Sequence, residues 1–134
     1  MQDFHQLKVW EKAHALTLDI YRLTRAFPRS EAFGLQSQMR RASVSIAANI
    51  AEGSGRSGRR EFGQFLSLAL GSASEVEYHV LLARDLDLID VLAHERVTAR
   101  VVEVKRMLTA LQRRVRTPGP TGSRESDRHL STDD

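Results

Sequence analysis

Ala42-Ser43-Val44-Ser45-Ile46-Ala47-Ala48-Asn49-Ile50-Ala51 carries no charge, glycine or proline, and it is bracketed by Arg40-Arg41 before and Glu52-Gly53 after. Ten residues of this kind make about three turns of α-helix. The run is too short to span a bilayer. A surface helix keeps one polar face, whereas a helix apolar all round must be covered all round. A second uncharged run, Phe62 to Ser74, follows across a glycine-rich joint. Two neighbouring helices without a charged outer face, in a chain of 134 residues, predict a protein that associates with itself.

Outward from this stretch, the seam Leu35, Met39, Ala42, Ile46 and Asn49 alternates steps of four and three, the pattern of bundle packing. It predicts a helix from about Glu31 or Gly34 to Glu52. Ser37, Val44, Ala48 and Ala51 lie opposite, small enough to admit another helix closely. Gly53-Ser54-Gly55-Arg56-Ser57-Gly58 reads as the joint that ends it by glycine termination. The next helix is expected from about Arg59 to Leu86, with Phe62, Leu66, Ala69, Ala73, Val76, Val80 and Ala83 on its core side. Gly63, Ser67 and Gly71 form a second small-residue ridge, and Leu68, Tyr78 and Leu82 extend the apolar surface behind it.

Upstream, Leu7, Trp10, Ala13, Leu16, Ile20, Leu23 and Phe27 predict a first helix from about Asp3, its cap, to Ala26, ended by Pro28. Downstream, Asp90 is the expected cap of a last helix whose stripe is Val97, Val101, Val104, Leu108, Leu111 and Val115. Thr117-Pro118-Gly119-Pro120 stops it. The expectation is an all-α, up-down-up-down antiparallel four-helix bundle over residues 1–116 and a disordered polar tail over 117–134.

Composition narrows the function classes. Without cysteine there is neither a disulfide framework nor a thiolate metal site. The start, Met1-Gln2-Asp3-Phe4, has no signal-peptide pattern and no span is long enough for a membrane, so a cytoplasmic protein is expected. Residues 117–134 hold two basic and four acidic residues, leaving 18 basic against 13 acidic in the body. That is a mild bias toward anionic partners. Most of the basic residues are arginine, suited to bidentate phosphate contacts, although codon composition gives the same bias.

Leu7-Lys8-Val9-Trp10 with Ala13, Phe27-Pro28 with Glu31 and Phe33-Gly34-Leu35, Gln38-Met39-Arg40-Arg41-Ala42 with Ser45-Ile46, and Asn49-Ile50-Ala51-Glu52-Gly53 form one set of blocks. Arg59-Arg60-Glu61-Phe62, Phe65-Leu66, Ala69-Leu70-Gly71-Ser72 and Glu75 complete it. In this combination the chain resembles the four-helix bundle proteins also called 23S rRNA intervening-sequence proteins. The likeness covers roughly residues 4–116, with the last helix matching in pattern alone. It implies a bundle assembled as a ring-like homopentamer. A related branch, the accessory variability proteins of diversity-generating retroelements, binds nucleic acid and a partner reverse transcriptase. No residue places this chain in that branch, so only a general nucleic-acid expectation carries over.

Catalytic patterns are lacking. Gly53, Gly55 and Gly58 spell G-x-G-x-x-G, but a helix precedes them where a dinucleotide site needs a strand. Glu11 and His14 have the spacing of half a di-iron bundle site, and no second half exists. No cofactor and no metal are expected. Arg56, Arg59 and Arg60, at the start of a helix, suit a phosphate, although a plain turn also explains the joint. Lys105, Arg106, Arg113, Arg114 and Arg116 offer a second basic surface, or merely offset the helix dipole. Asn49 on the seam and Glu75 beside the ridge are read as structural polar groups. Arg40 or Arg41 is the candidate partner of Glu75, within a subunit or across an interface.

The expected function is therefore that of a non-enzymatic oligomer that binds RNA or DNA through phosphates. The alternative is a scaffold for a protein partner, such as a reverse transcriptase, that never touches nucleic acid. Val44, Ala48, Ala51, Gly63, Ser67 and Gly71 are the expected contacts between copies. Aromatics make up 6% of the chain and fall mostly on seams, which disfavours base-specific reading.

Overall fold

The computed structural model describes residues 3–31 and 33–116. Among them all regular structure is helical: α1 (Lys8–Thr24), α2 (Leu35–Ser54), α3 (Arg59–Asp85) and α4 (Val91–Arg116), with short 3-10 turns at Phe4–Gln6 and Arg29–Glu31. The tail expected at 117–134 lies outside the described residues. No helix among the described residues is long and apolar enough to cross a membrane.

Each helix packs on the next, and α4 closes on α1. The core fills with the expected seams. Leu16, Ile20, Met39, Ile46, Leu66, Val76, Val80, Val97, Val101, Val104 and Leu108 are all buried. Burial of each such side chain contributes roughly 1.5–3 kcal/mol, which is why a stripe suffices to place a helix. Along α2 and α3 the partners run in opposite order. Gly53 lies against Phe62 and Phe65, whereas Ser45 bonds Ser72 (Oγ to Oγ, 2.9 Å). On α3 and α4, Gln112 donates to the Gly63 carbonyl (3.1 Å) and Lys105 pairs with Glu77 (2.9 Å). On α1 and α4, Arg100 is salt-bridged to Asp19, and Lys12 to Glu103 at 3.5 Å.

Several element ends differ from expectation. Asp3 caps the 3-10 turn, accepting from the His5 amide (3.1 Å), and α1 proper begins at Lys8. The joint narrows because Gly53 and Ser54 remain in α2, and no glycine there takes a positive φ. Gly53 instead serves close approach: a Cβ would stand 2.7 Å from Phe65 Cβ and 3.0 Å from Phe62 Cδ1. Among the described residues the one left-handed residue is Asp87, φ 59°, at the end of α3. There Leu88 donates to the Ala83 carbonyl (2.9 Å) and Asp87 to the Arg84 carbonyl (2.9 Å), the two bonds of a Schellman motif. Asp90 then caps α4 by accepting from Ala93 (2.7 Å).

Two polar placements change. Asn49 is half-buried beside the seam, and Ile50 takes the core position. The period of 3.6 carries a four-three alternation off the buried line after three steps, which moves Asn49 to the flank. It donates to the Ser45 carbonyl (2.8 Å) and hydroxyl (3.0 Å), extending the Ser45–Ser72 contact. Within the chain Glu75 does not pair with Arg40 or Arg41. It faces His79 one turn on (3.7 Å), while Arg40 reaches the opposite way to α1. Arg40 Nε donates to the buried Thr24 hydroxyl (2.9 Å), Nη2 to the Tyr21 carbonyl (3.3 Å), and the guanidinium covers the Tyr21 ring (4.6 Å). Arg40 sits on the α1 side of α2, so Glu75 on α3 is out of its reach. Arg41 is exposed.

Candidate functional site

α3 begins where α4 ends, and this brings Arg59 and Arg60 beside Arg116, while Arg114 and Arg113 of the second set line neighbouring hollows. Arg59 Nη2 donates to the Arg114 carbonyl (3.4 Å). That bond also satisfies an orphan carbonyl of the last turn of α4. Arg60, Arg113, Arg114 and Arg116 are exposed and Arg59 is half-buried. Arg56 belongs to the same end, held by Glu52 (3.4 Å) and placed over the Phe65 ring (5.2 Å). Lys8, from the start of α1, shares a small hollow with Arg114. The cationic end is thus assembled from three helices, with Glu52 and Glu61 the nearest acids along α2 and α3.

Between the first turns of α3 and the last of α4 lies a cavity of about 530 Å³. Arg59, Arg60, Gly63, Gln64, Ser67 and Leu68 line one side, with Val115 and Arg116 on the other. Gly63 leaves room in it: the first atom that a Cβ there would meet is Arg116 Nε, 3.8 Å away. Gln112 of α4 donates to the Gly63 carbonyl (3.1 Å) and to the Ser67 hydroxyl. The start of the small-residue ridge therefore also bonds to α4 within the chain, through the Gly63 carbonyl and the Ser67 hydroxyl. Ser67 is exposed, and Gly71 faces open space, with no atom within 4 Å of a Cβ built on it.

The remaining basic residues are placed differently. Lys105 is engaged by Glu77 and stands in a groove of about 430 Å³ with Arg106, Thr109 and Arg113. It is the member of the second set least suited to bind an outside anion, since a partner carboxylate already neutralises it. Sequence spacing did not signal this pair, whose members are 28 residues apart.

On the outer faces, Val44 (43% exposed) and Ala48 are exposed, and Ser37 and Ala51 half-buried. Leu18 and Tyr21 of α1 are exposed on the outside of the bundle as well. On α3, Leu68 and Tyr78 are more than half exposed, whereas Leu82 is half-buried.

His79 is buried on α3. Burial pushes its imidazole below the usual histidine range, and the Glu75 charge opposes this more weakly. Its Nδ1 has no hydrogen-bond partner. Among the described residues no group of three or more histidine or carboxylate side chains is placed to hold a metal. His14 stacks flat on Trp10 (5.1 Å between centroids).

Comparison with known proteins agrees with this architecture. A crystal structure of a protein of unknown function from the S23 ribosomal protein family of Bacteroides thetaiotaomicron superposes with a TM-score of 0.73 at 25% identity. The match covers 78% of this chain and 95% of that one. Among curated proteins no relative was found. Residues 5–110 match the family described as 23S rRNA-intervening sequence protein, and the chain belongs to that family.

Proposed function

We propose that this chain is a non-enzymatic, cytoplasmic protein that assembles through its outer helix faces and binds RNA or DNA through phosphate contacts at its arginine-bearing end. The bundle in this reading is up-down-up-down and antiparallel, and the assembly is a ring-like homopentamer. The observation that supports the binding role is the placement of Arg59 and Arg60 beside Arg116 at the adjoining ends of α3 and α4, with Arg59 bonded to the Arg114 carbonyl. Guanidiniums from two elements, partly fixed by Glu52 and by the Arg114 carbonyl, form a surface rather than a row of separate charges. Repetition around a ring would multiply that field. Phosphate contacts of this kind displace counterions, so affinity should fall steeply with salt and depend little on base sequence.

The assembly role rests on the exposed apolar and small residues Val44, Ala48, Gly71 and Tyr78 on the outer faces of α2 and α3. The same surface supports the second reading, a scaffold for a protein partner. Reversal of Arg59 and Arg60 to Glu, and separately of Arg113, Arg114 and Arg116, tests the binding role by anisotropy on labelled single strands and duplexes at low and moderate salt. Each set should weaken binding, and the combined reversal should lose less than the sum, since both act on one surface. Wild type that binds neither ligand at low salt sinks the nucleic-acid role and leaves the scaffold. Light scattering tests assembly. Wild type should have a mass several times 15.1 kDa, and Ala48→Glu should dissociate it, because a charge at such a contact loses its water. A monomeric wild type refutes this part.

A further inference from the structure

We propose that the cavity between α3 and α4 at the arginine-bearing end receives one unstacked nucleotide, so that the protein prefers single-stranded nucleic acid to duplex. The inference rests on the phosphate-binding reading above and adds a second component to it.

Three properties of the cavity fit this ligand together. Its volume, about 530 Å³, falls in the range of sites for compact organic ligands, roughly 300–1,000 Å³. That is far more than an inorganic anion requires. Its lining joins two chemistries: Leu68 and Val115 supply apolar wall, while Arg59, Arg60 and Arg116 bring guanidiniums. Its remaining polar lining, the Gln64 amide and the Ser67 hydroxyl, offers donors and acceptors suited to a base edge. A bare phosphate would leave Leu68 and Val115 uncovered, and a purely apolar ligand would make no use of the guanidiniums in the lining. A nucleotide satisfies both, its base against the apolar wall and the guanidinium planes, its phosphate among the charges.

The geometry also selects against duplex. A paired, stacked base cannot leave the helix to enter a recess without paying unpairing and unstacking energy of a few kcal/mol, whereas an unpaired base swings in at little cost. Gly63 leaves room in the recess, since the first atom that a Cβ there would meet, Arg116 Nε, is 3.8 Å away, so a larger side chain at this position enters it.

The test uses the full chain and three labelled probes with equal numbers of phosphates: a short oligothymidylate, the same backbone without bases, and a duplex. The oligothymidylate should bind about tenfold tighter than the abasic strand, the scale of one sequence-tolerant base contact, and tighter than the duplex. Gly63→Leu fills the recess and removes no charge. It should bring oligothymidylate down to the abasic level and leave the salt dependence unchanged. Leu68→Ser, at a side chain 57% exposed and so of little consequence for folding, should reduce the preference in the same direction. Equal binding of oligothymidylate and abasic strand by wild type overturns the pocket and leaves the phosphate reading standing. No binding of any probe overturns both. Retention of the preference by folded Gly63→Leu also overturns the pocket. A change of oligomer mass in Gly63→Leu does so too, and gives the recess to a second copy of the chain.

Discussion

Gly53→Ala and Gly71→Ala make the same chemical change on adjacent helices, and the structure assigns them opposite signs. At Gly53 the new methyl would stand 2.7 Å from Phe65 Cβ and 3.0 Å from Phe62 Cδ1. Carbon atoms settle about 3.5–4.0 Å apart, so the closer contact is short by nearly 1 Å. Phe62 can turn its ring, but Phe65 Cβ is fixed to the backbone of α3. Relief therefore requires the end of α2 and the start of α3 to separate. Overpacking of this kind costs about 1–3 kcal/mol. Alanine recovers up to about 1 kcal/mol over glycine inside a helix, and less at the last turn, where Gly53 sits. The net expectation for Gly53→Ala is a loss of about 1–2 kcal/mol. At Gly71 no atom lies within 4 Å of the added carbon and the position is mid-helix, so the full gain of about 1 kcal/mol applies. Urea unfolding followed by circular dichroism, at several protein concentrations and with mass measured beside it, reads both. A Gly53→Ala chain as stable as wild type would refute the close approach of α2 to α3. A Gly71→Ala chain that unfolds earlier at unchanged mass would refute the open position, whereas loss of mass with gain in the dilute chain would identify Gly71 as a contact between copies.

Thr24→Val keeps shape but removes the hydroxyl that accepts from Arg40 and donates to the Ile20 carbonyl (2.7 Å); urea unfolding should show a loss of about 1–2 kcal/mol. Asp87→Gly relieves the left-handed backbone after α3 and should stabilise by about 0.5–1 kcal/mol in the same assay, while Asp87→Val should destabilise. Because burial lowers the His79 pKa in the folded chain, the unfolded chain takes up the proton first as pH falls. Stability should therefore decline as pH drops through the ordinary histidine range, levelling once the folded imidazole also titrates. His79→Leu should flatten that slope, and an unchanged slope would place its origin elsewhere.

The seams were legible because packing a helix on its neighbours requires a period, and a period is a property of sequence. Phe62 through Ala83 on α3 and Val97 through Leu111 on α4 occupy the core as the spacing predicts. What the spacing concealed were partners of single atoms. Arg40 was placed on the correct helix, but which side it faces depends on where α1 ends, and Thr24 at that end turns it away from Glu75. Asp87 gave no sign of its role because the Schellman motif usually takes glycine, and an aspartate there reads as an ordinary turn residue. His79 belongs to no motif, yet it lies two turns beyond Ser72, on the side of α3 that meets α2, and is buried.

The merging of the two arginine sets was within reach of the sequence, and the signal was length. α3 has 27 residues and α4 has 26, each about 40 Å long, and a tight turn at Leu86–Asp90 joins them. Two equal rods folded back on a short hinge must end level, so whatever begins the first stands beside whatever ends the second. Arg59 and Arg60 open α3, and Arg113, Arg114 and Arg116 close α4. Reading each cluster against its own helix dipole treats them as separate and partly offset. Side by side the dipoles oppose one another, the positive end of α3 against the negative end of α4, and the backbone contribution largely cancels. The side-chain charges do not cancel, because they share one sign. The same juxtaposition makes the recess, since Gly63 lies one turn into α3 and Val115 and Arg116 are the last residues of α4. A single feature of the chain, two helices of matched length about one turn, therefore accounts both for the cationic surface and for the hollow within it. Lengthening α4 by one turn before Val97 would shift Arg113, Arg114 and Arg116 past the start of α3. It should reduce phosphate binding and the preference for unpaired bases together.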